Sequence, residues 1–324
     1  MQAIEAKKNP AISRKNEKRV GFIKEIHSNF SLYSMAIPAV VLLFLFCYLP
    51  LMGLILAFKD FQFDKGIFGS DWSTPLFNNF IFLLSSGEAF RAIKNTVMLN
   101  AMFIISGIIF EVGIALLLNE IGNKTFKKIT QSFTFLPYFV SWIVVGVFAY
   151  NLLNYETGGV NTLLSGLGFQ KVDWYSEAGI WPLLLLFFNR WKLTGYGAVV
   201  YLATLSGIDE SYYEAAKIDG ATRWHQTKYI TIPLLMPTVI ILTLLSIGKI
   251  MNADFGMFYS LVGEASVLYP TTDVIDTFVY RNLRKIGDVG MASATGFLQS
   301  TLAFVLVMGS NLIARKIDKD SALF

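Results

Sequence analysis

The fold class this sequence predicts is an all-α membrane protein, a bundle of about six transmembrane helices, and three observations carry that prediction. The chain is 54% hydrophobic and only 15% charged, against about 45–50% apolar and about 25% charged in a soluble domain. Its apolar residues come in long runs, not in the stripes of a helix that keeps one face wet. The runs also have the right length, since a helix rises about 1.5 Å per residue and crosses about 30 Å of hydrocarbon in roughly 20 residues. The qualifying stretches are Met35–Phe58, Asn95–Asn119, Ile129–Leu153, Ile180–Leu205, Ile232–Met251 and Met291–Ala314.

Residues 1–33 precede the first run as a polar, basic segment with no A-x-A cleavage pattern behind it, and are expected to stay in the mature chain. Residues 34–314 make up the membrane domain and 315–324 a short tail. Cys47, the single cysteine, lies inside the first run, which excludes an internal disulfide and leaves no partner for a cysteine metal site. Pro38, Pro50, Pro137 and Pro182 fall inside or at the ends of spans, where neighbouring helices or water must satisfy the backbone groups they free.

Orientation follows from the connecting segments, because cytoplasmic loops carry the excess of Lys and Arg. Lys7, Lys8, Arg14, Lys15, Lys18, Arg19 and Lys24 precede the first span, and Lys124, Lys127 and Lys128 follow the second. Lys217, Arg223 and Lys228 follow the fourth, and Arg315, Lys316 and Lys319 end the chain. An even number of spans with both termini cytoplasmic fits all four groups. The acidic loop with Glu156, Asp173 and Glu177 fits the outside, whereas Arg281, Arg284 and Lys285 are basic where this topology places them outside. The net charge of +4 is spent in these short loops, and no RNA- or DNA-binding pattern is present.

The loop at 206–232 is the most informative segment. Ser211 followed by Glu214 predicts a capping box at a helix start, Ala215 and Ala216 favour the helix, and Gly220 sits where a left-handed residue would end it. A second helix is expected from Thr222 toward Pro233, where the chain enters the membrane. By local physics alone this is either a connecting hairpin or a small-faced helix shaped for a groove on another protein.

Glu214-Ala215-Ala216, three residues, Gly220, nine residues, then Ile230 and Pro233 resembles the EAA loop of the permease subunits of type I ATP-binding-cassette importers, the MetI-like fold. Ile232 stands where that pattern has Leu. Asp219 and Ala221 complete the form seen in carbohydrate permeases, closest to those for complex or acidic oligosaccharides. Asn95-Thr96, Trp72, Asn79-Phe80, Phe90 and Phe255-Gly256 agree, so the resemblance spans about residues 30 to 320.

The resemblance implies a transport subunit, not an enzyme, in a prokaryotic plasma or inner membrane. Glu214, Ala215, Ala216, Asp219, Gly220 and Ala221 would form a coupling helix in a cleft of a separate ATPase. The implied partners are a second permease subunit, identical or homologous, two ATPase copies, an extracytoplasmic sugar-binding protein and membrane lipid, with no nucleic acid. No cofactor or metal is expected on this chain; ATP and Mg²⁺ belong to the ATPase, since no G-x-x-x-x-G-K-[ST] loop occurs here.

Ionisable groups inside spans face the bundle interior or a wet cavity. Glu111 in the second span and Asn189, Arg190, Trp191 and Lys192 in the fourth are candidates for the cargo path, because sugars offer hydroxyls to polar groups and flat faces to aromatic rings. Two cations also suit a uronate or phosphate. The alternative is that Glu111 neutralises Arg190 or Lys192 as a structural ion pair. Trp142, Phe255, Asn252 and Asp254 are further candidates, against packing, belt or helix-ending roles. Tyr150 and Tyr259 read as belt or packing residues more than as sugar platforms.

Two other functions stay open. A membrane enzyme acting on lipid-linked substrate needs a catalytic cluster that His27 and His225 do not supply. An ion-coupled secondary transporter often shows internal repeats and broken helices, and no repeat is evident.

Overall fold

A computed structural model describes residues 29–317 and is helical almost throughout. The basic segment before residue 29, with His27 and its lysines, and the tail beyond 317 lie outside the described residues.

The chain divides into two units. The first, residues 1–53, is described from Asn29 as helix α1 (Phe30–Leu43), which contains Pro38 and runs into a wide turn over Phe44–Tyr48. Its side chains are nearly all exposed, as expected of a helix whose surroundings are lipid or another subunit. Cys47 is free and exposed.

The second unit, residues 54–324, opens on the last residues of a tight helix over Leu49–Phe58 and continues into a two-stranded hairpin, β1 (Lys59–Asp60) and β2 (Asp71–Trp72). The buried Lys59 ammonium holds its turn by donating to the carbonyls of Ile67, Phe68 and Ser70. Then follow α2 (Asn78–Ser85), α3 (Gly87–Glu120), α4 (Lys124–Phe135), α5 (Trp142–Leu153), α6 (Gly159–Gly166) and α7 (Trp181–Leu205). The chain continues through α8 (Glu210–Ile218), α9 (Ile232–Gly248), α10 (Phe255–Val262), α11 (Ile275–Arg281) and α12 (Val289–Ile317).

Among the described residues four helical stretches are long and apolar enough to cross a membrane, or five if one bent pair is a single span. The expected six spans thus meet two differences. The third is not one helix: α4, prolonged by a tight helical turn over Leu136–Phe139, meets α5 at 93° across the extended residues Val140 and Ser141. The fourth is present as α7, 25 residues long, but Asn189, Arg190 and Lys192 dilute its apolar run. Two starts also move. The second span begins at Gly87, capped by Ser86, and the helix leading into the fifth begins at Arg223 and passes through Pro233 and Pro237 after a wide turn over Thr227–Thr231.

α3 and α7 pack along each other, with glycines at the crossings, as close helix approach in lipid requires. A Cβ on Gly195 would strike the backbone of α4 at Thr134 and Phe135; one on Gly146 would strike Ser260 in α10. Asn95 and Thr96 tie α3 to the stretch before α11: Asn95 donates to the carbonyls of Pro270 and Asp273, and Thr96 accepts from Ile275 N. The basic loop that fits poorly outside is largely neutralised. Arg281 forms a forked pair with buried Asp273 at 2.7 and 3.0 Å, and Lys285 pairs with Glu264 at 2.8 Å.

Candidate functional site

Two places collect the candidate residues. The first is a cavity of about 320 Å³, open on one side, between α3, α7 and α9 and the break that follows α9. Its α3 wall is Asn100, Phe103, Ile104, Gly107, Ile108 and Glu111, a single helix face by its three- and four-residue spacing. Asn189, Arg190 and Tyr201 come from α7, and Thr243, Ser246, Lys249, Asn252 and Asp254 close the far side.

Glu111 and Arg190 meet at 3.0 Å with side-chain exposures of 20% and 12%. Arg190 also donates to the Asn189 side chain from two nitrogens. Gly107 and Gly197 make room for the pair: a Cβ on Gly197 would sit 2.6 Å from Glu111 Cγ, and one on Gly107 2.6 Å from Arg190 Nη1. Of the two cations offered as partners for Glu111, the structure selects Arg190.

Lys192 does not line the cavity. It is buried and donates to the carbonyls of Tyr138 and Val140 at 2.6 Å each, with the Tyr138 and Trp142 rings at 5.4 and 5.3 Å. Those carbonyls belong to the α4–α5 break, where backbone groups have lost helical partners; a cation there satisfies them within the bundle. Trp191 is 45% exposed and turned off the cavity. Trp142 donates its indole N–H to Asp254 at 2.6 Å, and Asp254 caps α10 by accepting from Met257 N at 3.1 Å. Asn252 accepts from Gln299 through its side chain and from Asn100 through its carbonyl. Phe255 stacks on Tyr259 at 5.1 Å and packs on Tyr280, away from the cavity lining. Tyr150 packs on Tyr175.

The sequence reading passed over Asn100, Thr243, Ser246 and Lys249. A signal was there: Thr243, Ser246 and Lys249 recur every third residue through an otherwise apolar stretch, which draws a polar line down one helix face.

The second place is the hairpin at 206–232. Asp209, not Ser211, caps α8, accepting from Ser211 N at 2.9 Å, so the expected capping box is replaced by a cap two residues earlier. That hydrogen bond holds the Asp209 carboxyl below the ordinary carboxylate range. Gly220 ends α8 with φ +76°, Gly220 N donating to Lys217 O and Ala221 N to Ala216 O at 2.8 Å, the Schellman arrangement. Thr222 caps the next helix through His225 N, and its hydroxyl meets His225 Nδ1 at 2.6 Å. Glu214, Ala215 and Asp219 are exposed, Ala216 and Ala221 half-buried, and Ile218 is 87% exposed. Beside them lies a polar hollow lined by Glu120, Lys127, Glu210, Glu214, Lys217 and Arg223 among others.

Residues 104–319 match the family described as binding-protein-dependent transport system inner membrane component. The chain belongs to that family. Members similar to it include the polygalacturonan/rhamnogalacturonan transport system permease protein YteP of Bacillus subtilis, 33% identical over 96% of this chain and 95% of that protein. Protein LplB of the same organism is 32% identical over 89% and 90%. A chain of the bacterial alginate ABC transporter, crystallised in complex with an alginate pentasaccharide-bound periplasmic protein, superposes with TM-score 0.83 at 31% identity, covering 92% of this chain and 98% of that one. As a member of this family the chain is a membrane transport component, and the helical bundle described above is its fold.

Proposed function

We propose that this permease is one transmembrane subunit of an ATP-driven importer for an acidic oligosaccharide. A separate ATPase supplies the work through α8 and Gly220, and the cargo passes along the α3–α7–α9 cavity. The observation that carries the proposal is the mostly exposed Glu214–Ala221 turn, closed by a left-handed glycine, in a chain similar along nearly its whole length to an alginate transporter chain and a polygalacturonan permease. A short exposed lever with an apolar tip at Ile218 suits insertion into a partner's cleft.

In this reading the 206–232 hairpin and both termini face the cytoplasm, and 34–314 is the membrane domain of a multi-pass protein. The partners are a second permease subunit, two ATPases that use ATP and Mg²⁺, and an extracytoplasmic sugar-binding protein. Glu111, Asn189, Arg190, Asn252 and Asp254 border the cargo path, with the Glu111–Arg190 pair holding its wall. The test is reconstitution in proteoliposomes. The chain with its second permease, ATPases and binding protein should import oligogalacturonate only when ATP is supplied inside. Uptake driven by an ion gradient with the ATPases omitted would contradict it.

A further inference from the structure

Four charged side chains line the cavity, and three are already engaged. Arg190 and Glu111 hold each other, and both carboxylate oxygens of Asp254 accept hydrogen bonds, from Trp142 Nε1 and Met257 N. Lys249 is the fourth. Among the described residues its ammonium has no hydrogen-bond or ion-pair partner, although its backbone is fixed, Lys249 N donating to Ser246 O and Lys249 O accepting from Asn252 N. It stands at the end of the polar line through Thr243 and Ser246, where α9 gives out. Its neighbour Ile250 is tied to Asn100, and Glu111 lies about three turns, roughly 16 Å, further along α3. The Lys249 side chain is exposed along this cavity lining, so the ammonium stays hydrated on its long stem and is available to an anionic ligand.

We infer that Lys249 is the residue that meets a carboxylate of the passing sugar and sets the preference for acidic over neutral cargo, an inference that rests on the import reading above. Arg190 cannot take that role without abandoning Glu111, and Lys192 is spent on the α4–α5 break. Lys249 offers three donors on a flexible stem, so it can follow a carboxylate that moves past.

The test is equilibrium binding to the assembled transporter in detergent with no sugar receptor present, so that the receptor's own preference does not enter. The probes are an oligogalacturonate and its counterpart with carboxyls reduced to alcohols. Wild type should bind the acidic sugar at least roughly tenfold more tightly, as a charge-assisted bond implies. Lys249→Gln should erase that difference while leaving the neutral sugar's affinity in place, and Lys249→Arg should keep it, which separates lost charge from lost structure. A preference that survives in Lys249→Gln, or is absent from wild type, overturns the inference. Failure of the ATP-dependent uptake assay would instead overturn the import reading.

Discussion

The 206–232 hairpin and the cavity wall are built in opposite ways. The bonds that shape the turns of the hairpin are local: Asp209 to Ser211, Lys217 to Gly220, Ala216 to Ala221 and Thr222 to His225. Tyr213 to Thr231 joins its arms, and an exposed Arg223–Glu120 pair reaches α3. The cavity wall is held by partners far apart in the chain, Glu111 with Arg190, Asn100 with Ile250 and Trp142 with Asp254. A locally specified element can keep its shape while the body it is joined to changes form, which suits a lever. A wall assembled from distant residues responds as a unit, which suits a gate.

The largest break in this contrast should come from the bundle. Gly195→Leu drives a side chain into the α4 backbone at Thr134 and Phe135, which cannot move aside as a side-chain tip can. Overpacking of this kind costs about 1–3 kcal/mol or more, so the permease should fail to accumulate in membranes, read by detergent-resistant monodisperse yield. Next, Glu111→Ala strands the Arg190 guanidinium; breaking a fully buried pair costs about 3–5 kcal/mol, and this pair, partly exposed and with Asn189 still accepting from Arg190, should cost less. Thermal unfolding should shift down markedly, and the double change Glu111→Leu with Arg190→Met should recover most of it. Recovery of stability without recovery of transport would mark the pair as part of the gate.

A smaller and different effect is expected at the hairpin. Gly220→Val forces a β-branched residue to φ +76°, at a cost of roughly 1–2 kcal/mol. The bundle should keep its thermal stability while association with the ATPase weakens about tenfold, measured by co-purification. The smallest effect concerns Asp209. Because its carboxyl is held below the ordinary range, the cap's contribution is complete above the unfolded carboxylate value and is lost as pH falls through the depressed one. Hydrogen exchange at Ser211–Glu214 should therefore be flat near neutral pH and speed up only in acid, beyond the intrinsic rate change; Asp209→Ala should remove that pH dependence.

The same contrast explains what the sequence revealed. The positions of the apolar helices, the turn at Gly220 and a helix start at Thr222 were legible because periodicity, backbone freedom and helix propensity act over a few residues, whereas the ends of the spans were not. Asp209 was missed because Ser211 offered an equally good local cap, and only the observed backbone chose between them. The break between α4 and α5 was hidden in an apolar run, and its support, Lys192, lies more than fifty residues further along the chain. Composition could place Glu111, Arg190 and Lys192 inside the bundle but not say which cation the carboxylate takes. Lys249 escaped notice because it sits at a span's end, where a lysine reads as an interfacial anchor; only the shared cavity shows its neighbours engaged and its own ammonium without a partner among the described residues.

The central claim is that work enters this permease through the α8 turn. Its most direct measurement is ATP hydrolysis by the reconstituted transporter with and without sugar-loaded binding protein, in wild type and in Gly220→Val. Wild type should be stimulated severalfold by the loaded binding protein, and the variant should lose that stimulation together with uptake. Stimulated hydrolysis and uptake at wild-type rates in Gly220→Val would contradict the account.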